Sequence, residues 1–174
     1  CSINGVYSLD GLLTKDNIAK SRIIRQQLQY RGPDEQGEYS DERCCLESNR
    51  FSITGVHNGK MPILNEKVNI AVVLNGEIYN YRELKNELQQ KSHRFSTESN
   101  TEVIVHGYEE YGEDIFKKLK GMYSLAIYDK KDSENPKLLL AKDRFGEKPL
   151  FYTMQDCKLY FASESHPLVE LTDK

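Results

Sequence analysis

No apolar run in these 174 residues is long enough to cross a bilayer. The longest, "IAVVL" at 70–74 and "LLLA" at 138–141, suit buried strands instead. There is no long basic run, and the net charge is −3, which argues against nucleic acid or an anionic membrane surface as the main partner. The four cysteines, Cys1, Cys44, Cys45 and Cys157, form no CxxC pair and no Cys/His pattern at zinc spacing. A reduced, cytoplasmic setting is therefore expected rather than a disulfide framework. His57, His93, His106 and His166 show no metal-site spacing and no paired nucleophile, so neither a metal site nor a catalytic histidine is expected. No repeat, low-complexity segment or Pro/Ser-rich linker divides the chain.

What is present reads as one ordinary globular domain: 38% apolar and 29% charged residues, enough for a sizeable core. "SINGVYS" carries an Asn-Gly turn signal between strand-like residues. Residues 14–30 place Ile18, Ile24 and Leu28 at helical spacing, with Thr14 or Asp16 as cap candidates. "RGPDEQGEY" (31–39) reads as a turn-rich loop, followed by strand-like stretches at 43–47, 50–55 and 69–75. Two helices are predicted at 80–90 and 99–112, opened by the capping-box patterns Asn80-x-x-Glu83 and Ser99-x-x-Glu102. Further strands are expected at 122–131, 137–144 and 159–165. Strands at both ends and helices between point to an α+β protein with mainly antiparallel pairing.

The first residue raises the question of chemistry. A thiol needs a base to become a good nucleophile near neutral pH. At position 1 the residue's own α-amine, with a reference pKa of about 7.7–8.0, can act as that base. Cys1 equally fits removal of an initiator Met, an artificial boundary, or signal-peptide cleavage that leaves a lipid-modified cysteine. In "LNGEIYN" (74–80), an Asn carboxamide beside a Gly N–H can supply two donors to an oxyanion. The same pair also fits a tight Asn-Gly turn. It is one of three Asn-Gly pairs, and the one that follows a strongly apolar strand and precedes a capped helix. Arg50 in "NRFSITG" fits a two-pronged carboxylate contact or an exposed strand arginine. Arg31 heads a Gly-Pro turn and can stabilise that turn or prop the terminus. Asn100 in "ESNTEV" fits a contact to a substrate amine or a helix cap. Cys44 and Cys45 are adjacent in a strand-like run and point to opposite faces, so they are not expected to ligate one metal, and at least one is expected in core packing.

Taken in order, "CSINGV", "YRGPDEQG", "NRFSI", "VLNGEIYNYRELK", "SNTEVI", "GMYSLAIYD", "DRFGEKPLFY" and "FASE" run the length of the chain. Together they resemble the type 2 glutaminase domain of class II glutamine amidotransferases, above all that of glutamine-hydrolysing asparagine synthetases. The resemblance implies an N-terminal-nucleophile hydrolase fold over 1–174, a four-layer αββα sandwich with mainly antiparallel sheets. It implies L-glutamine as substrate, Cys1 as nucleophile with its α-amine as base, and Asn75 and Gly76 as oxyanion donors. Arg50 would hold the α-carboxylate, Glu77 and Asn100 the α-amino group, and backbone near Ile53 and Thr54 the substrate's position; Arg31 would support the site. Ammonia would pass to an acceptor on a synthetase domain or subunit. No cofactor is implied in this domain; ATP and Mg are expected only in that synthetase domain or partner.

Two positions depart from the family pattern. Asn100 stands where the family usually carries an aspartate. A charge-assisted contact contributes about 1.5–3 kcal/mol and a neutral one about 0.5–1.5 kcal/mol, so a raised KM for glutamine with intact chemistry is expected. Met61, in "KMPIL", stands where the family commonly has Gln. Neither the synthetase pyrophosphate loop nor a G-x-x-x-x-G-K-[ST] motif occurs. The sequence is thus expected to be an excised domain or a stand-alone glutaminase serving a partner. A catalytically silent relative that binds an amino acid or a synthetase partner is the alternative.

Overall fold

The computed structural model describes residues 1–52 and 59–172. Its frame is two antiparallel sheets laid face to face. One carries β1 (Ser2–Ser8), β2 (Glu35–Ser40), β3 (Cys44–Arg50), β8 (Phe151–Gln155) and β9 (Lys158–Ala162), in the order β2-β3-β1-β9-β8. The other carries β4 (Ile63–Leu64), β5 (Ile70–Ile78), β6 (Gly121–Asp129) and β7 (Lys137–Lys142), in chain order. Helices α1 (Lys15–Gln27) and α5 (His166–Thr172) cover the first sheet. Helices α2 (Tyr81–Gln90) and α3 (Glu102–Tyr111) cover the second, with the short α4 (Ile115–Lys118) leading into β6. This is the expected α+β, four-layer αββα arrangement.

The period of two in the strands builds both interior layers. In β1, Ile3 and Tyr7 join the large core between the sheets, whereas Val6 faces α1. In β3, Cys44 and Leu46 go inward and Cys45 goes outward, so the adjacent cysteines pack in separate clusters as their spacing requires. In β9, Phe161 faces the other sheet and Tyr160 faces the helices. The helix at 14–30 forms as α1, and Thr14 is its cap. The Thr14 hydroxyl accepts the Asn17 N–H (3.1 Å), while Asn17 Oδ1 accepts the Thr14 N–H (2.9 Å).

Several local expectations yield to tertiary contacts. Asn4-Gly5 is no turn: β1 runs straight through it, paired on both sides. The turn-rich reading of 31–39 holds only at its start, because β2 pairs with β3 from Glu35 onward. β8, whose residues are half-exposed and mixed in polarity, has no periodic signal and was not expected. Of the strand-like stretch at 50–55, Arg50 ends β3, Phe51 and Ser52 are not in a strand, and the rest lies outside the described residues. Asn80 does not cap α2 through its side chain. Its carboxamide instead bridges to the segment before β6, donating to the Lys118 carbonyl (2.9 Å) and accepting the Lys120 N–H (3.0 Å). Glu102 likewise makes no capping box with Ser99. It accepts the N–H groups of Ser96 (2.8 Å) and Thr97 (2.7 Å), tying down the chain that leads into α3.

Candidate functional site

A cleft of about 540 Å³ opens between the two sheets. The first sheet contributes Cys1, at the head of β1, and Arg50 and Phe51 at the end of β3. The second contributes Asn75, Gly76 and Glu77 from the far end of β5, with Met122 beside them on β6. The segment before α3 closes a third side with Ser99 and Asn100. Six of the candidate residues read from sequence (Cys1, Arg50, Asn75, Gly76, Glu77, Asn100) therefore line one cleft, together with Arg31. Ile53 and Thr54 lie outside the described residues.

Cys1 is held at both ends. Its α-amine donates to the Arg31 carbonyl (2.7 Å), and Arg31 Nε donates back to the Cys1 carbonyl (3.1 Å). Arg31 is itself anchored on Glu164 (2.6 Å). The Phe51 N–H points at Cys1 Sγ (3.5 Å). Burial, and then the positive charges of Arg31 and Lys148, push the amine below its ordinary value of 8.0. A lower pKa leaves more of the amine unprotonated near neutrality, as a base requires.

Asn75 and Gly76 are shaped for a different task. Asn75 is 3% exposed, and its Nδ2 has no hydrogen-bond partner among the described residues. Leaving a buried donor unmade costs about 1–3 kcal/mol, so such a group calls for an explanation. Among the described buried side-chain atoms that lack a partner, it is the one on a residue lining the cleft. Gly76 has φ = 131°, a region that L side chains rarely adopt. A Cβ there would also run into the Met122 carbonyl on the neighbouring strand. Glycine is thus fixed by two independent requirements, and a bound group can approach its backbone closely.

At the polar end, Arg50 pairs with Glu35 (3.2 Å) while lining the cleft. Asn100 neither caps α3 nor stands alone: its Nδ2 donates to Glu77 Oε2 (2.5 Å). The carboxamide and the carboxylate form one unit on the cleft wall.

The structure also gives Met61 a role that sequence reasoning did not find. Its buried thioether accepts the Leu74 N–H (3.3 Å) and the Thr101 hydroxyl (3.8 Å). It sits between β5 and the start of α3, and its partner Leu74 immediately precedes Asn75 with its orphan donor. Lys148 and Phe51 were missed as well. Nothing in their local sequence separates them from surface residues; they reach Cys1 only through the fold.

Comparison with known proteins identifies the family of the chain. Residues 1–174 match the family described as glutamine amidotransferase domain. The chain is 47% identical over 175 residues to asparagine synthetase (glutamine-hydrolyzing) 2 of Bacillus subtilis, covering 96% of this chain and 22% of that protein. It is 38% identical over 167 residues to asparagine synthetase (glutamine-hydrolyzing) 3 of Arabidopsis thaliana, covering 94% and 28%. The chain thus spans about a quarter of the length of these relatives. Among solved structures, the glutamine phosphoribosylpyrophosphate amidotransferase of B. subtilis superimposes with a TM-score of 0.79 over 97% of this chain and 43% of that one. Identity there is 18%, so this match speaks to the fold alone, the two face-to-face antiparallel sheets between helical layers. The chain belongs to the class II glutamine amidotransferase domain family and resembles the N-terminal domain of asparagine synthetases.

Proposed function

We propose that this chain carries the glutaminase half-reaction of an amidotransferase, releasing ammonia from the side-chain amide of glutamine. The observation that carries the reading is the buried, unpartnered Nδ2 of Asn75 beside Gly76, in the same cleft as a terminal thiol and a low-pKa amine. The Cys1 thiol proton passes to the α-amine, and sulfur bonds to the amide carbon. Asn75 Nδ2 and the Gly76 N–H receive the negative charge that develops on oxygen. The carbon–nitrogen bond then breaks, the amine returns its proton to the leaving nitrogen, and ammonia departs. Water, deprotonated by the same amine, attacks the thioester; sulfur leaves and regains its proton, giving glutamate. Arg50 holds the α-carboxylate, and the Glu77–Asn100 unit holds the α-amino group. Arg31 positions the terminus. Ammonia goes to an acceptor on a synthetase domain or subunit, where ATP and Mg would belong.

One observation favours a second reading, in which the domain binds an amino acid but turns over weakly. Asn100 uses its amide nitrogen on Glu77, which removes part of the negative charge available to a substrate ammonium. Incubation with 6-diazo-5-oxo-norleucine, a glutamine mimic with an electrophilic carbon, separates the two. The expected result is one adduct, mapped to Cys1 by peptide mass spectrometry, and loss of ammonia release in proportion. An adduct on exposed Cys157 instead, or none at all, would end the catalytic reading.

A further inference from the structure

On the outer helical layer, two histidines far apart in their sequence neighbourhoods come together. We propose that His93, His106 and Glu109 form a binding site for a divalent transition-metal ion of the zinc class. Glu109 Oε2 lies 3.0 Å from His106 Nδ1 and 3.6 Å from His93 Nδ1. One ligand atom from each residue lies within 4.8 Å of the other two. Two nitrogen or oxygen ligands on a tetrahedral zinc, at bond lengths of about 2.0–2.1 Å, are roughly 3.3 Å apart. The two separations, 3.0 and 3.6 Å, bracket that value.

What turns a cluster into a site is the setting of each ligand. A metal-bound imidazole usually holds a carboxylate or carbonyl with its other nitrogen. Both histidines do so: His106 Nε2 faces Glu102 (3.3 Å) and His93 Nε2 faces Glu110 (2.9 Å). This leaves both Nδ1 atoms turned toward Glu109. The second oxygen of Glu109 is fixed as well, accepting from Asn65 Nδ2 (2.6 Å). Phe95 packs edge-on against the His106 ring at 4.7 Å and walls the cluster on an apolar side. Side-chain exposure falls from 19% at Glu109 and 17% at His93 to 3% at His106, so an ion would be reached from solvent and held from beneath. Three protein ligands leave a fourth position for water or an incoming group. Three carboxylates around two imidazoles also supply the negative charge that a dication needs.

Another cluster among the described residues, Glu38, Cys45 and Glu47, is equally close but unsuited. Burial pushes the Cys45 thiol up, away from the thiolate a metal requires, and Arg22 and Arg25 already occupy the carboxylates. Among the described residues no arginine pairs with the carboxylates of the histidine cluster; Lys91 pairs with Glu110 (3.3 Å) and lies over the Tyr111 ring. An ion there would tie the chain after α2, where His93 sits, to α3. The same connection carries Ser99 and Asn100 to the wall of the cleft.

The test is metal binding by chelator-stripped protein, with Zn²⁺ alone as the probe in equilibrium dialysis and Co²⁺ as a spectroscopic substitute. Because a terminal cysteine can chelate, the measurement is made in wild type and in a Cys1→Ser/Cys157→Ser background. The expected result is one Zn²⁺ per chain in both, with the strong visible absorption of tetrahedral Co²⁺. His93→Asn and Glu109→Gln, both at partly exposed positions, are expected to abolish stoichiometric binding while the far-UV spectrum is retained. Glu110→Gln is expected to weaken it about 10-fold or more through the loss of a supporting partner. No ion retained by the cysteine-free background, or binding unchanged in His93→Asn, overturns the proposal and leaves the cluster an ion-pair network.

Discussion

Two Asn-Gly pairs sit inside strands of this molecule, and they do opposite things with the same atoms. Asn4-Gly5 lies mid-strand in β1, under α1. The amide nitrogen of Asn4 reaches the Ser21 carbonyl (2.9 Å), the Ser21 hydroxyl (3.3 Å) and buried Glu47 (2.7 Å). Asn75-Gly76 lies toward the end of β5, and the amide nitrogen of Asn75 has no partner among the described residues. Gly5 is required by close packing against the Cys45 carbonyl and the Phe161 ring; Gly76 is required by packing and by its positive φ. A buried carboxamide whose donor is engaged holds the fold together. One whose donor is free in a cleft is arranged for something that arrives later.

The sharpest way to break this comparison is to remove each carboxamide in turn. Asn75→Ala is expected to lower kcat for ammonia release by about 100- to 1000-fold, the usual effect of losing one oxyanion donor. Its stability should hardly change, since no hydrogen bond within the described protein is lost. Steady-state kinetics with thermal melts on the same preparation checks both halves. A melting point that falls while kcat stays near wild type would reverse the assignment.

Asn4→Ala should do the reverse. Glu47 is fully buried and relies on Asn4, Ser21 and Arg25, which lies 3.3 Å from its other oxygen. Removing one donor from a buried carboxylate costs about 1–3 kcal/mol of stability. Urea unfolding should show that loss, with kcat/KM per folded molecule unchanged. If activity falls in step with Asn75→Ala, the two layers are coupled and the comparison fails.

The contrast between Asn4 and Asn75 also shows what was legible in advance. The letters "NG" are identical; the surrounding pattern separates them, because "IAVVL" and "YNYRELK" bracket the second with a buried strand and a helix. The strands of high apolar content were readable for the same reason. β2 was hidden by the turn residues Gly32, Pro33 and Asp34 just before it, and β8 by its exposed, mixed side chains. Asn80 and Glu102 show where local rules stop: each had a nearby capping partner, and each was claimed by backbone from another segment. The histidine cluster was invisible because its supporting partners come from positions 65, 102 and 110 at once.

Asn100 tests whether a carboxamide that is already engaged can still limit function. It donates to Glu77, so under the proposed function the pair would offer one negative charge to a substrate ammonium. Asn100→Asp removes that donor and adds a second carboxylate, which only a bound cation would relieve. The gain from a neutral to a charge-assisted contact is roughly 1 kcal/mol, or a 5- to 10-fold lower KM for glutamine with kcat little changed. Initial-rate measurements over a range of glutamine concentrations decide it. An unchanged or higher KM means that the Glu77–Asn100 unit does not hold the substrate amine.

The smallest expected effect concerns the charges that surround each layer. Beside Asn4, Arg25 favours the charged form of Glu47, although burial outweighs it and raises the carboxyl's pKa overall. Beside Cys1, burial and then Arg31 and Lys148 act on an amine and disfavour its charge. The sign follows directly: the amine must be neutral to serve as base, its pKa lies below 8.0, and activity should fall only as pH drops through that lowered value. Lys148→Gln removes one positive charge while leaving the Arg31 hydrogen bonds to Cys1 in place. The amine pKa should rise toward its ordinary value, and the acidic limb of the kcat/KM profile should move to higher pH. The shift should be modest, because burial is the largest cause and Arg31 the second. A limb that stays fixed in Lys148→Gln would mean that burial and Arg31 set the base, and that the lysine at the cleft rim has no part in it.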